Sequence, residues 1–349
     1  DLGFTNPEIG AGAASLGNID GQAGAEVAVG ASRWPDFDAG MVAIFAGEML
    51  ADGGEIDMVD AGTRIYGHVA NAAVGGSLAG PGDVDGDGVG DLLIGSFNLD
   101  EVDGTGSAAD GVVWFFSGAG LADAGVLGTD DADSAIVGAD NNGGKHGVTI
   151  AALGDYDRDG FADFAIGEPR LPANSSGDGW THIWSGASLT GALYDSLDAD
   201  VSIHGTGSEA FGGGLGGGGD LNGDGEADLV IAAPARNLSG GLQTAGVVYI
   251  ARSSDVRSLD EDAVSADLNH QLCGSTVGER IGQSTATSSR ASHALAIVPD
   301  VDGDGLDDIL VGAPTWTSDA GALSAGRVYL VLSRFEPVAA EGDDDDSAE

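Results

Sequence analysis

Apolar residues along this chain fall in short runs of three to six, closed by glycine or by a polar turn. Ser77–Ala79, Leu92–Ile94, Val112–Phe116 and Ala135–Gly138 are typical. Runs of this length between Gly, Ser, Asp and Pro predict β-strands. No stretch sustains a helical apolar period, so almost no helix is predicted. No run approaches the ~18 apolar residues of a membrane-crossing helix, and direct membrane insertion is not expected.

The runs come in a fixed order around an acidic segment. Residues 82–95 read GDVDGDGVGDLLIG, and the pattern returns at 154–167 (GDYDRDGFADFAIG), 219–232 (GDLNGDGEADLVIA) and 299–312 (PDVDGDGLDDILVG). A worn copy, GNIDGQAGAEVAVG, occupies 17–30. The second residues fall at 18, 83, 155, 220 and 300, so the spacings are 65, 72, 65 and 80. Each copy has a small apolar strand before it and a buried-type strand within its second half. A loop rich in Gly, Ser and Pro follows, then a third strand, then a fourth ending in glycine. One four-stranded sheet per repeat cannot bury its faces alone; neighbours stacked about an axis supply the partner faces.

The predicted fold is therefore all-β, a β-propeller of five four-stranded blades. The repeats span about 1–67, 68–138, 139–205, 206–274 and 275–335. A fourth strand is missing from the last repeat, and Asp1–Phe4 is expected to supply it and close the ring. Residues 336–349, EPVAAEGDDDDSAE, carry no strand signal and read as a solvated acidic tail.

The acidic segment has the spacing Asp-x-Asp-x-Asp-Gly-x-x-Asp. Oxygen ligands at positions 1, 3, 5 and 9, with the carbonyl of position 7, can wrap one hard cation. The expected ligand sets are Asp83, Asp85, Asp87 and Asp91 with the Val89 carbonyl; Asp155, Asp157, Asp159 and Asp163 with Phe161; Asp220, Asn222, Asp224 and Asp228 with Glu226; and Asp300, Asp302, Asp304 and Asp308 with Leu306. All-oxygen ligands on a flexible loop favour Ca2+ over Mg2+ or Zn2+. An EF-hand uses similar spacing but needs a glutamate at position 12 and flanking helices. Position 12 here is Ile94, Ile166, Ile231 or Val311, and the flanks are strands. About four calcium sites are expected. The fifth loop, 18–26, has Asn18, Asp20, Gln22 and Glu26 with Ala23 in place of the turn glycine, and is expected to be weak or empty.

Charge and cysteine content locate this chemistry. Lys+Arg is 12 against 57 Asp+Glu, a net charge of −45 over 349 residues. Such a surface repels nucleic acid, and no nucleic-acid partner is expected. A single cysteine, Cys273, rules out an intrachain disulfide and any Cys-x-x-Cys zinc cluster. Sites with affinities near ~10⁻⁴–10⁻³ M stay empty at cytosolic calcium. At tenfold saturation each contributes about 1.4 kcal/mol, and four contribute about 5–6 kcal/mol. That is comparable with the ~5–15 kcal/mol net stability of a domain. An extracellular or cell-surface location follows as an expectation; a salt-rich habitat is a compatible second cause of the acidity.

The sequence resembles the FG-GAP repeats of integrin α-subunit β-propellers and their bacterial relatives. The matching pieces are Phe211-Gly212 with Ala232-Ala233-Pro234, Ile281-Gly282 with Gly312-Ala313-Pro314, His146-Gly147 with Gly167-Glu168-Pro169, Ile9-Gly10 with Gly30-Ala31-Ser32, and Val74-Gly75 with Gly95-Ser96. The resemblance implies calcium in the hairpins between the first two strands of a blade, and closure of the ring by an N-terminal strand. Propellers of that family usually have seven blades, so the alternative is that five blades form part of a larger ring.

Strand direction places the 2–3 loops and the 4–1 connections on one face and the acidic hairpins on the other. Trp34 and Trp316 occupy equivalent positions in the 2–3 loops. They are candidate ligand-binding residues, with cover of their own blade edge as the other reading. Trp114, Trp184, Tyr249 and Tyr329 are expected in the core. The six histidines form no local ligand pair, His146 reads as structural, and no catalytic motif is found. The expected function is a non-enzymatic binding or adhesion module for a protein or polysaccharide partner. The alternatives are a self-associating structural subunit of a surface layer or fibre, and a carbohydrate-binding or carbohydrate-active protein.

Overall fold

The computed structural model describes residues 8–34, 39–51, 53–99, 110–138, 143–169, 177–259, 263–283, 294–317 and 325–333. Each repeat folds into one antiparallel sheet, and the sheets form a five-bladed β-propeller arrangement. Blade 1 holds Ile9–Gly17, Glu26–Ala31, Met41–Phe45 and Thr63–Tyr66. Blade 2 holds Ser77–Ala79, Leu92–Ser96, Val112–Phe116 and Ser134–Val137. Blade 3 holds Thr149–Gly154, Asp163–Glu168, Trp180–Trp184 and Val201–His204. Blade 4 holds Gly214–Gly219, Asp228–Ala233, Val247–Ala251 and His270–Cys273. Blade 5 shows Leu295–Val298, Asp308–Ala313 and Arg327–Val331. The expected closing strand, Asp1–Phe4, and the acidic tail lie outside the described residues. The α-helices among the described residues are short, Gly47–Ala51 and Ser253–Val256.

Alternation along the strands explains the stacking. In the second strand of blade 2, Leu92 and Ile94 join the core shared with Ala28, Val42 and Ile44 of blade 1. Leu93, between them, joins Phe164, Ile166 and Trp184 of blade 3. A period of two thus feeds two interfaces at once, which is why these runs read as continuously apolar. Blades 3 and 4 share Ile183, Ile203, Phe211, Leu229 and Tyr249, and blades 4 and 5 share Val230, Val248, Ile309 and Val311. The first strands succeed one another across these boundaries.

Three strands were not anticipated. Gly125–Gly128 pairs in parallel with the fourth strand of blade 1, Leu193–Asp195 with that of blade 2, and Ala263–Val264 with that of blade 3. Each belongs to the 3–4 connection of the following blade. These segments cover an otherwise unpaired sheet edge and tie each blade to the next. At two to four residues they are too short to carry an alternation signal.

The Phe-Gly and Gly-Ala-Pro halves of the motif meet between blades. Gly75, Gly147, Gly212 and Gly282 all have φ between +70° and +79°, a backbone region that favours glycine. The carbonyl this turn presents lies against the second strand of the preceding blade: a Cβ on Gly30 would sit 2.0 Å from Gly75 O. The same carbonyls accept hydroxyl donors, Ser77 Oγ to Gly147 O at 2.5 Å and Thr149 Oγ1 to Gly212 O at 2.8 Å.

The two end blades keep one apolar face uncovered among the described residues. On blade 5, Val328 is 70 % and Leu330 46 % exposed. On blade 1 an open groove of about 840 Å³ runs over Ile9, Val27, Val29, Phe45, Ile56 and Met58. Substituting Gly30→Ala forces the Gly75 turn away from blade 1. The expected loss is about 1–3 kcal/mol by urea denaturation, and an unchanged midpoint would contradict this reading of the blade contact.

Candidate functional site

Each acidic hairpin is shaped by its own carboxylates before any cation is considered. Position 1 takes backbone donors on both oxygens: Asp83 accepts from Gly86 N at 2.7 Å and Gly88 N at 2.9 Å, and Asp300 from Gly303 N at 2.6 Å and Gly305 N at 2.9 Å. The Gly305 N–H, with those of Gly303 and Asp304, holds the Asp300 carboxyl below its ordinary range. Positions 3 and 5 accept from the N–H two residues on, as Asp157 does from Asp159 at 3.1 Å and Asp87 from Val89 at 2.8 Å. The glycine at position 6 has φ between +85° and +95° in all four loops. This folding gathers Asp83, Asp85 and Asp91, then Asp155, Asp157 and Asp163, and then Asp300, Asp302 and Asp304, with carboxylate oxygens within 4.8 Å of one another in each group. In the fourth loop the Asn222 amide oxygen stands at position 3 and accepts from Asp224 N at 2.9 Å.

Position 9 has a second task that spacing did not reveal. Asp91 accepts from Val84 N at 2.7 Å on one oxygen and from Gly118 N at 2.8 Å on the other. Asp163 does the same with Tyr156 and Gly186, Asp228 with Leu221 and Ser253, and Asp308 with Val301 and Ser333. Glu26 of the worn loop keeps the pattern, accepting from Ile19 at 2.6 Å and Gly47 at 3.3 Å. The carboxylate therefore pins the hairpin to the connection that follows the third strand. These side chains are buried, and burial raises Asp91 and Asp163 to about 7 and Asp228 to about 6, against the opposing pull of the N–H donors. A buried carboxylate beside others ionises readily only when a counter-charge is near.

The hairpins also touch one another. The Ala162 N–H donates to Asp83 O at 2.8 Å and the Asp307 N–H to Asp220 O at 2.9 Å, across blade boundaries. The position-7 side chain leans on position 4 of the preceding loop: Phe161 beside Gly86, Leu306 beside Gly223, and Glu226 paired with Arg158. Arg257 joins the last pair, bonding both Glu226 and Tyr156 O. So the position-7 side chains act between blades, whatever their carbonyls do.

On the opposite face the 2–3 loops and 4–1 connections bridge at Gly40–Val74 and Gly179–Phe211. Trp34 is 8 % exposed and packs with Met41, Phe45 and Met58, so it covers its own blade and offers little of its ring to a partner. Trp316 is half-buried, with the Arg327 guanidinium 3.6 Å over its ring. The two tryptophans are thus not equivalent in use. Trp114, Trp184 and Tyr249 are buried as expected; Tyr329 is half-buried.

The structure assembles one group that chain order hid. His146, from the 4–1 connection, Glu168, at the end of a second strand, and His182, in a third strand, meet in the interior with donor atoms within 4.8 Å of one another. His146 Nδ1 is 3.3 Å and His182 Nε2 3.5 Å from Glu168 Oε2. Burial lowers the His146 pKa, against the opposing pull of the Glu168 carboxylate. Burial alone would raise Glu168, but the two imidazoles outweigh it and hold the carboxyl at about 2. The signal lay in register rather than in local spacing: all three positions belong to the repeat motif.

A family profile described as "FG-GAP repeat" matches residues 146–181, 211–250 and 292–331. Three stretches of the chain, about a third of its length, thus match FG-GAP repeats. Among curated proteins, integrin alpha-E of Mus musculus is 39 % identical over 95 residues, 26 % of this chain and 8 % of that protein. Integrin alpha-V of Gallus gallus is 27 % identical over 183 residues, 52 % of this chain and 15 % of that protein. The phosphatidylinositol-glycan-specific phospholipase D of Dictyostelium discoideum is 30 % identical over 129 residues, 35 % of this chain and 12 % of that protein. The chain thus matches a minor part of each of these relatives.

Two substitutions separate the roles within one hairpin. Asp91→Ala strips the acceptor from two buried N–H groups and is expected to cost about 1–3 kcal/mol even in EDTA. Asp85→Ala is expected to leave the EDTA melting curve almost unchanged and to reduce only the calcium-dependent increment. Equal effects of the two in EDTA would contradict the division.

Proposed function

We propose that this FG-GAP chain is a calcium-stabilised recognition module that works outside the cytoplasm. The observation that carries the reading is the set of four acidic hairpins, each prefolded by its own N–H donors and each in contact with a neighbour. The proposed ligands are the carboxylates and the Asn222 amide at positions 1, 3, 5 and 9, with the carbonyls of Val89, Phe161, Glu226 and Leu306. Calcium between these oxygens removes carboxylate repulsion worth ~1–4 kcal/mol per pair. Because adjacent hairpins share backbone bonds, each ion also stiffens the boundary between two blades.

A rigid calcium face leaves the opposite loops to meet a protein or polysaccharide partner. Five of the twelve cations support that side: Arg33, Lys145, Arg236, Arg280 and Arg327 lie at the 2–3 and 4–1 connections or beside them, while Arg158 and Arg257 stand at the hairpins. The likeness to integrin alpha subunits supports ligand binding, and that of the phospholipase falls on a small part of its length. Both are consistent with a shared propeller whose partners differ. A second reading, assembly of copies, is favoured by the uncovered end faces at Val328 and Leu330 and at the blade 1 groove.

An array of extracellular-matrix proteins and polysaccharides, probed in millimolar calcium and again in EGTA, tests the function. Binding that requires calcium and weakens roughly tenfold or more in Trp316→Ala/Arg327→Ala is expected, of the size of a lost interface anchor. Binding unaffected by EGTA and by both substitutions would contradict the proposal. Sedimentation at several concentrations separates the assembly reading, which requires mass to rise with concentration.

A further inference from the structure

Strand register makes His146, Glu168 and His182 equivalent to defined positions in every other repeat. The first is the residue before the motif glycine: Ile9, Val74, Phe211 and Ile281. The second follows the second-strand glycine or alanine: Ala31, Ser96, Ala233 and Ala313. The third faces the centre of the second strand: Ala43, Trp114, Tyr249 and Tyr329. In blade 4 these positions build an aromatic plug, with the Phe211 and Tyr249 rings 5.6 Å apart. In blade 3 the rings at the same places are the two imidazoles, 5.5 Å apart, with a carboxylate between them. The other repeats fill these places with apolar or aromatic side chains, apart from Ser96, which accepts from Trp114 Nε1 at 2.9 Å. Three coordinated departures in one repeat, each to a metal-ligating side chain, are not explained by packing.

The surroundings have changed with them. Blades 4 and 5 bring a buried glutamate in from two residues before the motif pair, and Glu209 and Glu279 there meet the Tyr249 and Tyr329 hydroxyls. In blade 3 that position is Gly144, and its lack of a side chain makes room for Glu168, whose Oε1 would lie 2.2 Å from a Cβ at that site. His146 is wholly buried and turns Nδ1 toward Glu168, and the buried Nε2 of His182, which faces the same carboxylate, has no hydrogen-bond partner. The other nitrogen of His182, Nδ1, is fixed by Ser202 Oγ at 2.9 Å. In the tautomer that donates Nδ1–H to Ser202, Nε2 presents a lone pair toward Glu168, the arrangement of a metal-ligating histidine. Nitrogen-to-carboxylate separations of 3.3 and 3.5 Å are long for N–H···O bonds, which centre near about 2.9–3.0 Å. They match two ligands of a tetrahedral zinc ion, which at bond lengths of about 2.0–2.1 Å lie about 3.3–3.4 Å apart.

We propose that His146, Glu168 and His182 bind one transition-metal ion of the zinc type, between the aspartate hairpins and the opposite loop face. Two imidazoles and one carboxylate suit Zn2+ and its stand-in Co2+, whereas Ca2+ prefers the all-oxygen hairpins. The ion neutralises the buried carboxylate and replaces the aromatic plug of the other blades as the link between the 4–1 connection and the sheet.

The test is titration of the chelator-stripped, intact chain with Co2+ and then Zn2+. One equivalent of Co2+ is expected to give the intense visible absorption of a four-coordinate nitrogen–oxygen site, which six-coordinate binding at the hairpins does not. One equivalent of Zn2+ should abolish it, and excess Ca2+ should not. The triple variant His146→Phe/Glu168→Ala/His182→Tyr restores the blade 4 residues and should stay folded without the absorption. Single His182→Gln guards against misfolding of the triple variant and should also lose it. Ser202→Ala, a positioning change, should weaken zinc by roughly 10–100-fold while leaving one equivalent bound. Absence of the absorption in the wild-type protein, or its persistence in folded triple variant, would overturn the proposal.

Discussion

Negative charge crowded into hairpins is the constraint on which this fold turns. The chain carries 57 acids against 12 Lys and Arg, and the hairpins hold several of those acids within a few ångströms of one another. Backbone N–H groups meet much of the demand, because position 1 and position 9 carboxylates accept from two or more each. What remains is a set of outward oxygen atoms that, among the described residues, no side-chain cation in the loops neutralises, apart from the arginines at Glu226. On the proposed function, divalent ions meet that remainder, and the backbone bonds between hairpins pass the benefit from blade to blade.

Much of the architecture was legible because the repeat is printed in the chain. Five copies of a strand–hairpin–strand unit announced an all-β arrangement of five blades and placed the acids in the hairpins. Leu92-Leu93-Ile94 showed why the strands look uniformly apolar, since odd and even positions serve different interfaces. What escaped was of two kinds. The parallel edge strands, such as Leu193–Asp195, are too short for any period and depend on a neighbour's edge. The second role of Asp91 and its equivalents needs a donor, Gly118 N, which lies 27 residues away.

Trp34 and Trp316 show the limit of equivalence in sequence. They sit at matching offsets, yet one is buried under Met41 and Phe45 and the other lies half-buried beneath a guanidinium. Nothing local distinguishes them; the apolar 3–4 connection around Met58, which encloses Trp34, has no counterpart in blade 5 among the described residues. Equivalence was more informative in the opposite direction for His146. Set beside Phe211 and Ile281, it marks the repeat where imidazoles stand in place of the plug's apolar and aromatic side chains, and the fold then delivers Glu168 and His182 to the same point.

The central claim is that divalent ions fill the prefolded aspartate hairpins and thereby hold the blades together. Isothermal titration of chelator-stripped protein with calcium, paired with melting curves on the same samples, measures this directly. The account predicts about four calcium ions per chain and a rise in melting temperature that follows their binding. Titration showing no saturable calcium binding at millimolar concentration, or binding with an unmoved melting temperature, would contradict it.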